Sequence, residues 1–382
     1  MKLLSFNKYL LDVAKRTPPE RDRYVDFLRA CSIIVVVLGH WLSAVVIKSD
    51  TGIRIYNAVG MISGMWLITW VLQVMPLFFF VGGFSNARAL NVLKNKGKSI
   101  RTFYTKRAIR LLKPTIVFLL IWILIIALLI LLLPDWKTYK SAIIATVGPL
   151  WFLAVYLFVT LIAPFMLKLH RMRKAIIPLI LMVLTAGTDF IRFKFGIPWI
   201  AWLNVGFVWV FVHQLGFFYE DDTLVNLSLS RKTIIAIIGL VGLIILTNLG
   251  IYPRSMIGTG FEKISNMNPP TLCIVMLSLW LIGIAMLLRK RINLWLDRTG
   301  PWILVIFANT VIMTLYLWHL TAFTIAFLIL HQFGLGYHTI DNIKIWWLER
   351  PAWIIIPGII LIGFINIFGR FESSGIEKGE KR

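Results

Sequence analysis

The chain has 382 residues, of which 59% are hydrophobic and only 15% charged, a balance that excludes a soluble domain of this size. Lys and Arg number 40 against 17 Asp and Glu, a formal net charge of +23, which would suit nucleic acid, an anionic membrane surface or an anionic substrate. Nucleic acid is set aside because the basic residues form short clusters between apolar runs of membrane-spanning length.

A polar segment with four acidic residues precedes the first apolar run, so no cleavable signal is visible and that run is expected to stay as a helix. Ten apolar segments follow in chain order, at roughly 30–47, 58–84, 109–133, 147–167, 175–188, 199–218, 233–250, 271–288, 301–330 and 352–369. The second and ninth are long enough to tilt, kink or break, and Pro76 is expected to kink the second. No repeated block suggests the inverted halves of many transporters. With both termini in the cytoplasm, the inside segments 1–29, 85–113, 168–174, 219–232, 289–300 and 370–382 hold 30 of the 40 basic residues, and each of the five outside loops holds two. That bias satisfies the positive-inside rule. The expected fold is therefore all-α: a polytopic membrane helical bundle of about ten transmembrane helices, both termini cytoplasmic, in the cell (cytoplasmic or inner) membrane. It divides into a cytoplasmic segment 1–29, a membrane domain 30–369 and a cytoplasmic tail 370–382.

Two outside loops, 249–271 and 331–351, combine Gly, Pro, Asn and aromatic residues. They read either as a shaped binding surface or as turns with interfacial aromatic anchors. The two cysteines, Cys31 and Cys273, fall in predicted spans as small buried hydrophobes, too few for a disulfide framework.

The chemistry begins in the first span, "RACSIIVVVLGHWL" (29–42). Eleven residues turn a helix through about 1100°, so Arg29 and His40 share a face to within roughly 20° and stand about 16 Å apart along the axis. Arg29 is expected at the cytoplasmic mouth, where an ordinary topology anchor would also sit. His40 is expected near the middle of the hydrocarbon, where an imidazole needs a partner or a cavity; a structural histidine bonded to a neighbouring helix is the plain alternative. His319 and His213 also fall in spans, without a cation on their own helix face, and a structural or interfacial role is favoured for both. Tyr316, one turn from His319, makes it the more interesting of the two. His170, His331 and His338 are read as loop residues. No histidine pair has metal-ligand spacing and no acidic cluster completes one, so no metal is expected.

In "FYTKRAIRLLKP" (103–114), Arg107 and Arg110 are neighbours on a helix, and forked guanidinium groups suit phosphate oxygens. Positive-inside charge or lipid phosphates account for the pair equally well. In "MPLFFFVGGFSNAR" (75–88), Gly82 and Gly83 would let either another helix or an extended ligand approach the backbone.

Together with "RYVDFLRACSIIVVVLGHWL" (23–42), "GPLWFLAVYLFVTLIAP" (148–164) and "LYLWHL" (315–320), these stretches resemble, in order and over most of the chain, the acyltransferase 3 family of integral-membrane O-acyltransferases. The family's most specific signature is an arginine, ten residues and a histidine, here Arg29 and His40. Its paired arginines two residues apart correspond to Arg107 and Arg110. The usual Ser-Gly-Phe after the second helix reads Gly82-Gly83-Phe84, which leaves the contribution of a serine hydroxyl open. The resemblance implies a ten-helix enzyme that carries an acyl group, commonly acetyl from acetyl-CoA, from the cytoplasm to a hydroxyl of an extracytoplasmic or lipid-linked glycan. His40 and Arg29 would be its catalytic residues, with His40 as general base or nucleophile. Arg107, Arg110, Gly82 and Gly83 would bind the acyl-CoA donor. Some members carry a fused extracytoplasmic hydrolase-like domain; this sequence stops 13 residues after its last predicted helix, so none is expected. The expected partners are acyl-CoA, the glycan or lipid-linked sugar acceptor and the lipid bilayer, with no nucleic acid; acceptor identity and oligomeric state are not legible. The competing reading is a proton-coupled exporter of a polysaccharide or lipid precursor with His40 as proton carrier. A non-catalytic scaffold is disfavoured by the intramembrane histidine.

Overall fold

A computed structural model describes residues 17–18, 21–49, 52–132, 140–262, 264–338 and 343–373. In chain order its main elements are α1 (Arg23–Ser43), β1 (Ala44–Ser49), β2 (Gly52–Asn57), α2 (Trp66–Leu72), α3 (Met75–Asn95), α4 (Ile100–Leu132), α5 (Lys140–Val147) and α6 (Leu150–Met172). They continue with α7 (Ile176–Phe195), α8 (Leu203–Glu220), α9 (Leu229–Asn248), α10 (Leu272–Leu296), α11 (Thr299–Thr310), α12 (Ile312–His331), α13 (Ile343–Glu349) and α14 (Ala352–Ser373). Among the described residues, ten spans are long and apolar enough to cross a membrane, and each answers to one of the ten predicted segments.

The boundaries differ where polar chemistry, rather than hydropathy, starts or stops a helix. The first helix begins at Arg23, not near residue 30, because the Asp22 carboxylate accepts the Val25 N–H at 3.0 Å and so caps a helix that starts inside the polar segment. At its other end, α1 stops at Ser43. The β-branched stretch after it pairs as an antiparallel hairpin, Ala44 opposite Asn57, where the sequence led us to expect helix and loop. The second segment is broken rather than kinked. Pro76 lies in the first turn of α3, where its missing N–H costs nothing, and the chain turns just before it at Gln73, whose side chain accepts the Met75 N–H at 3.3 Å. The ninth segment is also broken, at Val311. Glu372 accepts the N–H groups of Met313 (3.0 Å) and Thr314 (3.2 Å), supplying a carboxylate to the exposed donors at the start of α12.

The chain divides into two compact units, residues 1–32, 64–100 and 153–309, and residues 33–63, 101–152 and 310–382. In the first, α9 packs on α10 and α3 on α8. A side chain on Gly83 would collide with the His213 carbonyl, and one on Gly216 with that of Phe80, so α3 and α8 meet backbone to backbone as membrane helices often do. In the second, α12 packs on α14 with Trp318 stacked on Phe368 at 4.1 Å between centroids and edge-on to Phe118 of α4. Large apolar side chains such as Ile123 and Leu131 on α4 are left exposed. Lipid tails are the natural cover for a surface of this kind.

Candidate active site

Arg29 belongs to the first unit, one and a half turns into α1, and its guanidinium is held from three sides. It donates to Asp26 Oδ1 at 2.9 Å, to Ser85 Oγ on α3 at 2.7 Å and to Asn309 Oδ1 at the end of α11 at 3.4 Å. Asn309 is fixed in turn, its amide donating to the Asp26 carbonyl at 2.8 Å and the Val305 carbonyl at 2.9 Å. Asp26 takes a second cation, Arg21, at 2.6 Å. The Arg29 side chain keeps 19% of its surface accessible: an oriented cation with one side open. Ser85 and Asn309 were not singled out from the sequence. Ser85 supplies, immediately after Gly82-Gly83-Phe84, a hydroxyl three residues after the serine's usual place, which Gly82 takes here; that shift was a readable signal.

His40 belongs to the second unit and lies on the same unbroken α1 as Arg29. The residue is exposed, and a side chain on the adjoining Gly39 would meet nothing within 4 Å. Its ring lies 5.2 Å, centroid to centroid, from that of His319 on α12. His319 is 1% exposed. Its Nδ1 lies 2.8 Å from the Tyr316 carbonyl and 3.1 Å from that of Leu315, while its buried Nε2 has no hydrogen-bond partner among the described residues. Next to His40, Trp41 donates its indole N–H to the His319 carbonyl at 2.9 Å, which ties the two helices at the level of the imidazoles. The far end of α1 is fixed as well. Arg350 donates to the carbonyls of Leu42 (3.3 Å) and Ala44 (3.4 Å) while its guanidinium lies 4.3 Å over the Trp346 ring, so carbonyls in and just after the last turn find a cation.

A family model described as an acyltransferase domain matches residues 22–369, a range that begins one residue before α1 and takes in every one of the ten spans but the last turn of α14. The chain belongs to the acyltransferase 3 family. No curated protein and no solved structure matches it. It is thus a multi-pass membrane acyltransferase, and the expectation drawn from the arginine–histidine spacing is met at the level of family and fold.

The remaining predicted residues of this acyltransferase fall in different places. Gly83 is occupied by the α3–α8 contact, and a Cβ on Gly82 would meet the Tyr156 ring at 2.7 Å; helix packing accounts for both glycines. Beside them, the Asn86 amide donates to His213 Nε2 at 3.1 Å and to Thr160 at 3.3 Å, which makes His213 a core histidine as favoured from sequence. Arg107 and Arg110 lie on α4 in the second unit. The Arg107 guanidinium sits 5.7 Å over the Phe103 ring, and Arg110 is exposed and attracts the capping carboxylate of Glu372. His170 is not a loop residue: it is buried in the last turn of α6 and bonded on both ring nitrogens, to Asp221 at 2.9 Å and Gln214 at 2.8 Å.

The loops 249–271 and 331–351 are tied down by polar groups. In 249–271, Asn266 donates to the carbonyls of Pro253 and Ser255, and Tyr252 donates to Asp189 at 3.0 Å; burial, with the Asp189 charge beside it, pushes the Tyr252 phenol up. In the second loop, of which 339–342 lie outside the described residues, His338 Nε2 meets Glu349 at 3.0 Å and its backbone N–H donates to the Val46 carbonyl on β1. Burial lowers the His338 imidazole against the pull of Glu349.

Proposed function

We propose that this acyltransferase moves an acyl group, acetyl before any other, from cytoplasmic acyl-CoA to a hydroxyl of an extracytoplasmic or lipid-linked glycan, in the cell (cytoplasmic or inner) membrane. The observation that carries the reading is a single uninterrupted helix, α1, with an oriented and partly open arginine near one end and an exposed histidine eleven residues on. The helical rise between them, about 16 Å, is of the order of an extended pantetheine arm. An anionic coenzyme A held at the Arg29 end would bring its thioester towards His40, about half-way through a hydrocarbon layer of roughly 30 Å.

In this reading Arg29, steadied by Asp26, Ser85 and Asn309, meets the donor and aligns its thioester. Arg107 and Arg110 meet its phosphates, for which planar forked donors are suited. Gly82 and Gly83 act on the donor site only through packing, Gly83 by the close approach of α3 and α8 and Gly82 by that of the Tyr156 side chain of α6. His40 activates the acceptor hydroxyl, either by taking its proton as the oxygen attacks the thioester carbonyl or by first carrying the acyl group as an acyl-imidazole.

The test uses membranes containing the full-length protein, supplied on the coenzyme side with acetyl-CoA labelled in the acetyl group. Label passing into a glycan or lipid-linked sugar fraction, absent with His40→Ala, is the expected result. A proton-coupled exporter would move unmodified solute and leave the label in the coenzyme. Reporters fused after Arg382 and inserted near Gly258 should report cytoplasmic and extracytoplasmic positions respectively; a periplasmic signal from the C-terminal fusion overturns the orientation.

A further inference from the structure

We propose that His319 is a positioning residue for His40: its Nε2 accepts the N–H of one His40 ring nitrogen and thereby leaves the other ring nitrogen free, lone pair outward, to meet the reacting group. The inference rests on the reading of His40 as the reacting imidazole and deepens it.

The argument starts from the proton on His319. Its Nδ1 faces the carbonyls of Tyr316 and Leu315 at 2.8 and 3.1 Å. A carbonyl can only accept, so Nδ1 carries the hydrogen, and in a neutral imidazole the other nitrogen is then an acceptor. That acceptor, Nε2, is buried and has no partner among the described residues. A buried polar atom left unpaired is costly and asks for an explanation. A structural filler would not carry it, since a phenylalanine would occupy the space with no orphaned atom. Nor is the imidazole needed to hold α1 against α12, because the tie at this level runs from Trp41 to the His319 backbone carbonyl.

The ring packed beside this imidazole is that of His40, 5.2 Å away between centroids and tilted by 55°. Catalytic hydrogen bonds are often long in the absence of substrate and tighten when it binds. A turn of the His40 ring closes this one, and it decides which nitrogen bears hydrogen. The step then balances without a further reactant. The acceptor oxygen forms its bond to the thioester carbonyl carbon, the hydroxyl proton passes to the free His40 nitrogen, the carbon–sulfur bond breaks, and the same proton leaves with the coenzyme thiol. The hydrogen shared between His40 and His319 stays where it is, and the developing imidazolium is stabilised by it. If the acyl group instead rides on His40, the same hydrogen bond keeps the attacking nitrogen unprotonated.

The experiment compares His319→Phe with His319→Gln in the full-length protein, measuring initial rates against acetyl-CoA concentration in membranes, acetyl-CoA binding and protein amount. Phenylalanine keeps the ring and loses the acceptor; glutamine restores an acceptor near the Nε2 position. The expected result is a fall in kcat of about 10²-fold for Phe, the worth of a well-placed acid–base group, with KM and binding unchanged and a large part of the loss recovered by Gln. His319→Met replaces Phe if Phe does not accumulate. Wild-type kcat in the acceptor-less variant, or equal losses in it and in Gln, overturns the assignment. His40→Ala is the control on the underlying reading: if it is inactive while the acceptor-less variant is fully active, only the pairing fails; if it transfers normally, the site itself is misplaced.

Discussion

His170 in the first unit and His319 in the second are both almost completely buried, yet their surroundings are built on opposite plans. Each ring nitrogen of His170 has a side-chain partner, Asp221 on one side and Gln214 on the other, and Asp221 is further bonded by Lys174 and Thr223. His319 has one nitrogen returned to its own helix and one with no partner among the described residues, in a ring 5.2 Å from that of His40. A saturated polar cluster spends its capacity on holding helices together, whereas an unsaturated one keeps capacity for something that arrives. The contrast separates residues whose loss should be felt as instability from those whose loss should be felt as lost turnover.

The largest effect should come from the unsaturated side. His40→Ala is expected to leave the protein in the membrane and able to retain coenzyme A, while turnover falls by roughly 10²–10⁴, the usual contribution of a positioned acid or base, and by more if His40 is the nucleophile. Normal acyl transfer by a well-expressed variant breaks the comparison at once.

Next in size are the arginines of α4. Replacing Arg107 or Arg110 by alanine should raise the apparent KM for acyl-CoA by about tenfold, the order of one charge-assisted hydrogen bond, and lower kcat less. Lysine should rescue only in part, since it keeps the charge and loses the fork. Lysine variants with wild-type rates at every acyl-CoA concentration would reduce the pair to topology charge.

What the sequence allowed and what it withheld divide along the same line. Ten spans were legible because apolar length is a direct property of the chain, and the Arg29–His40 relation because helical period is. Breaks at Gln73 and Val311 were harder to place: each depends on a side chain supplying a bond that the helix gives up, and in the second case that side chain, Glu372, is far along the chain. The hairpin after Ser43 was missed because β-branched residues continue the apolar run of α1 without a change in hydropathy. Partners from distant segments, Ser85 and Asn309 for Arg29 and His319 for His40, cannot be read from periodicity at all. Gly83 shows the converse. Its type was legible, but only the position of the His213 carbonyl decides between helix and ligand.

Gly83 also provides a test of medium size on the packed side. Alanine there has no room against the His213 carbonyl, and overpacking of this kind costs typically 1–3 kcal/mol. Gly83→Ala should therefore lower thermal stability in detergent, while the fraction that remains folded keeps its KM for acyl-CoA. A raised KM at unchanged stability would instead return the glycine to the donor site.

The smallest effect is expected at Asp221, and it sharpens the contrast because the group titrates. Burial alone would push this carboxyl up, but hydrogen bonds from Lys174, Thr223 and His170 outweigh it and hold it down at about 2. A carboxyl held below its unfolded value of about 3.9 stabilises the native state fully above that value and loses the contribution as pH falls towards 2. Asp221→Asn should thus cost stability near neutral pH, at most about 1.5–3 kcal/mol for bonds to a charged group and less where solvent reaches the side chain. The gap between wild type and variant should narrow as pH falls from 4 to 2. Specific activity per folded molecule should not change, because His170 and Asp221 have no capacity left for a substrate. The measurement is the midpoint of thermal unfolding for both proteins across that range, with acyl transfer assayed at neutral pH. A variant as stable as wild type at pH 7, or a gap that widens with acid, would show that the cluster does not bind α6 to the end of α8. Loss of turnover in a fully folded variant would show that a saturated histidine can also serve the reaction.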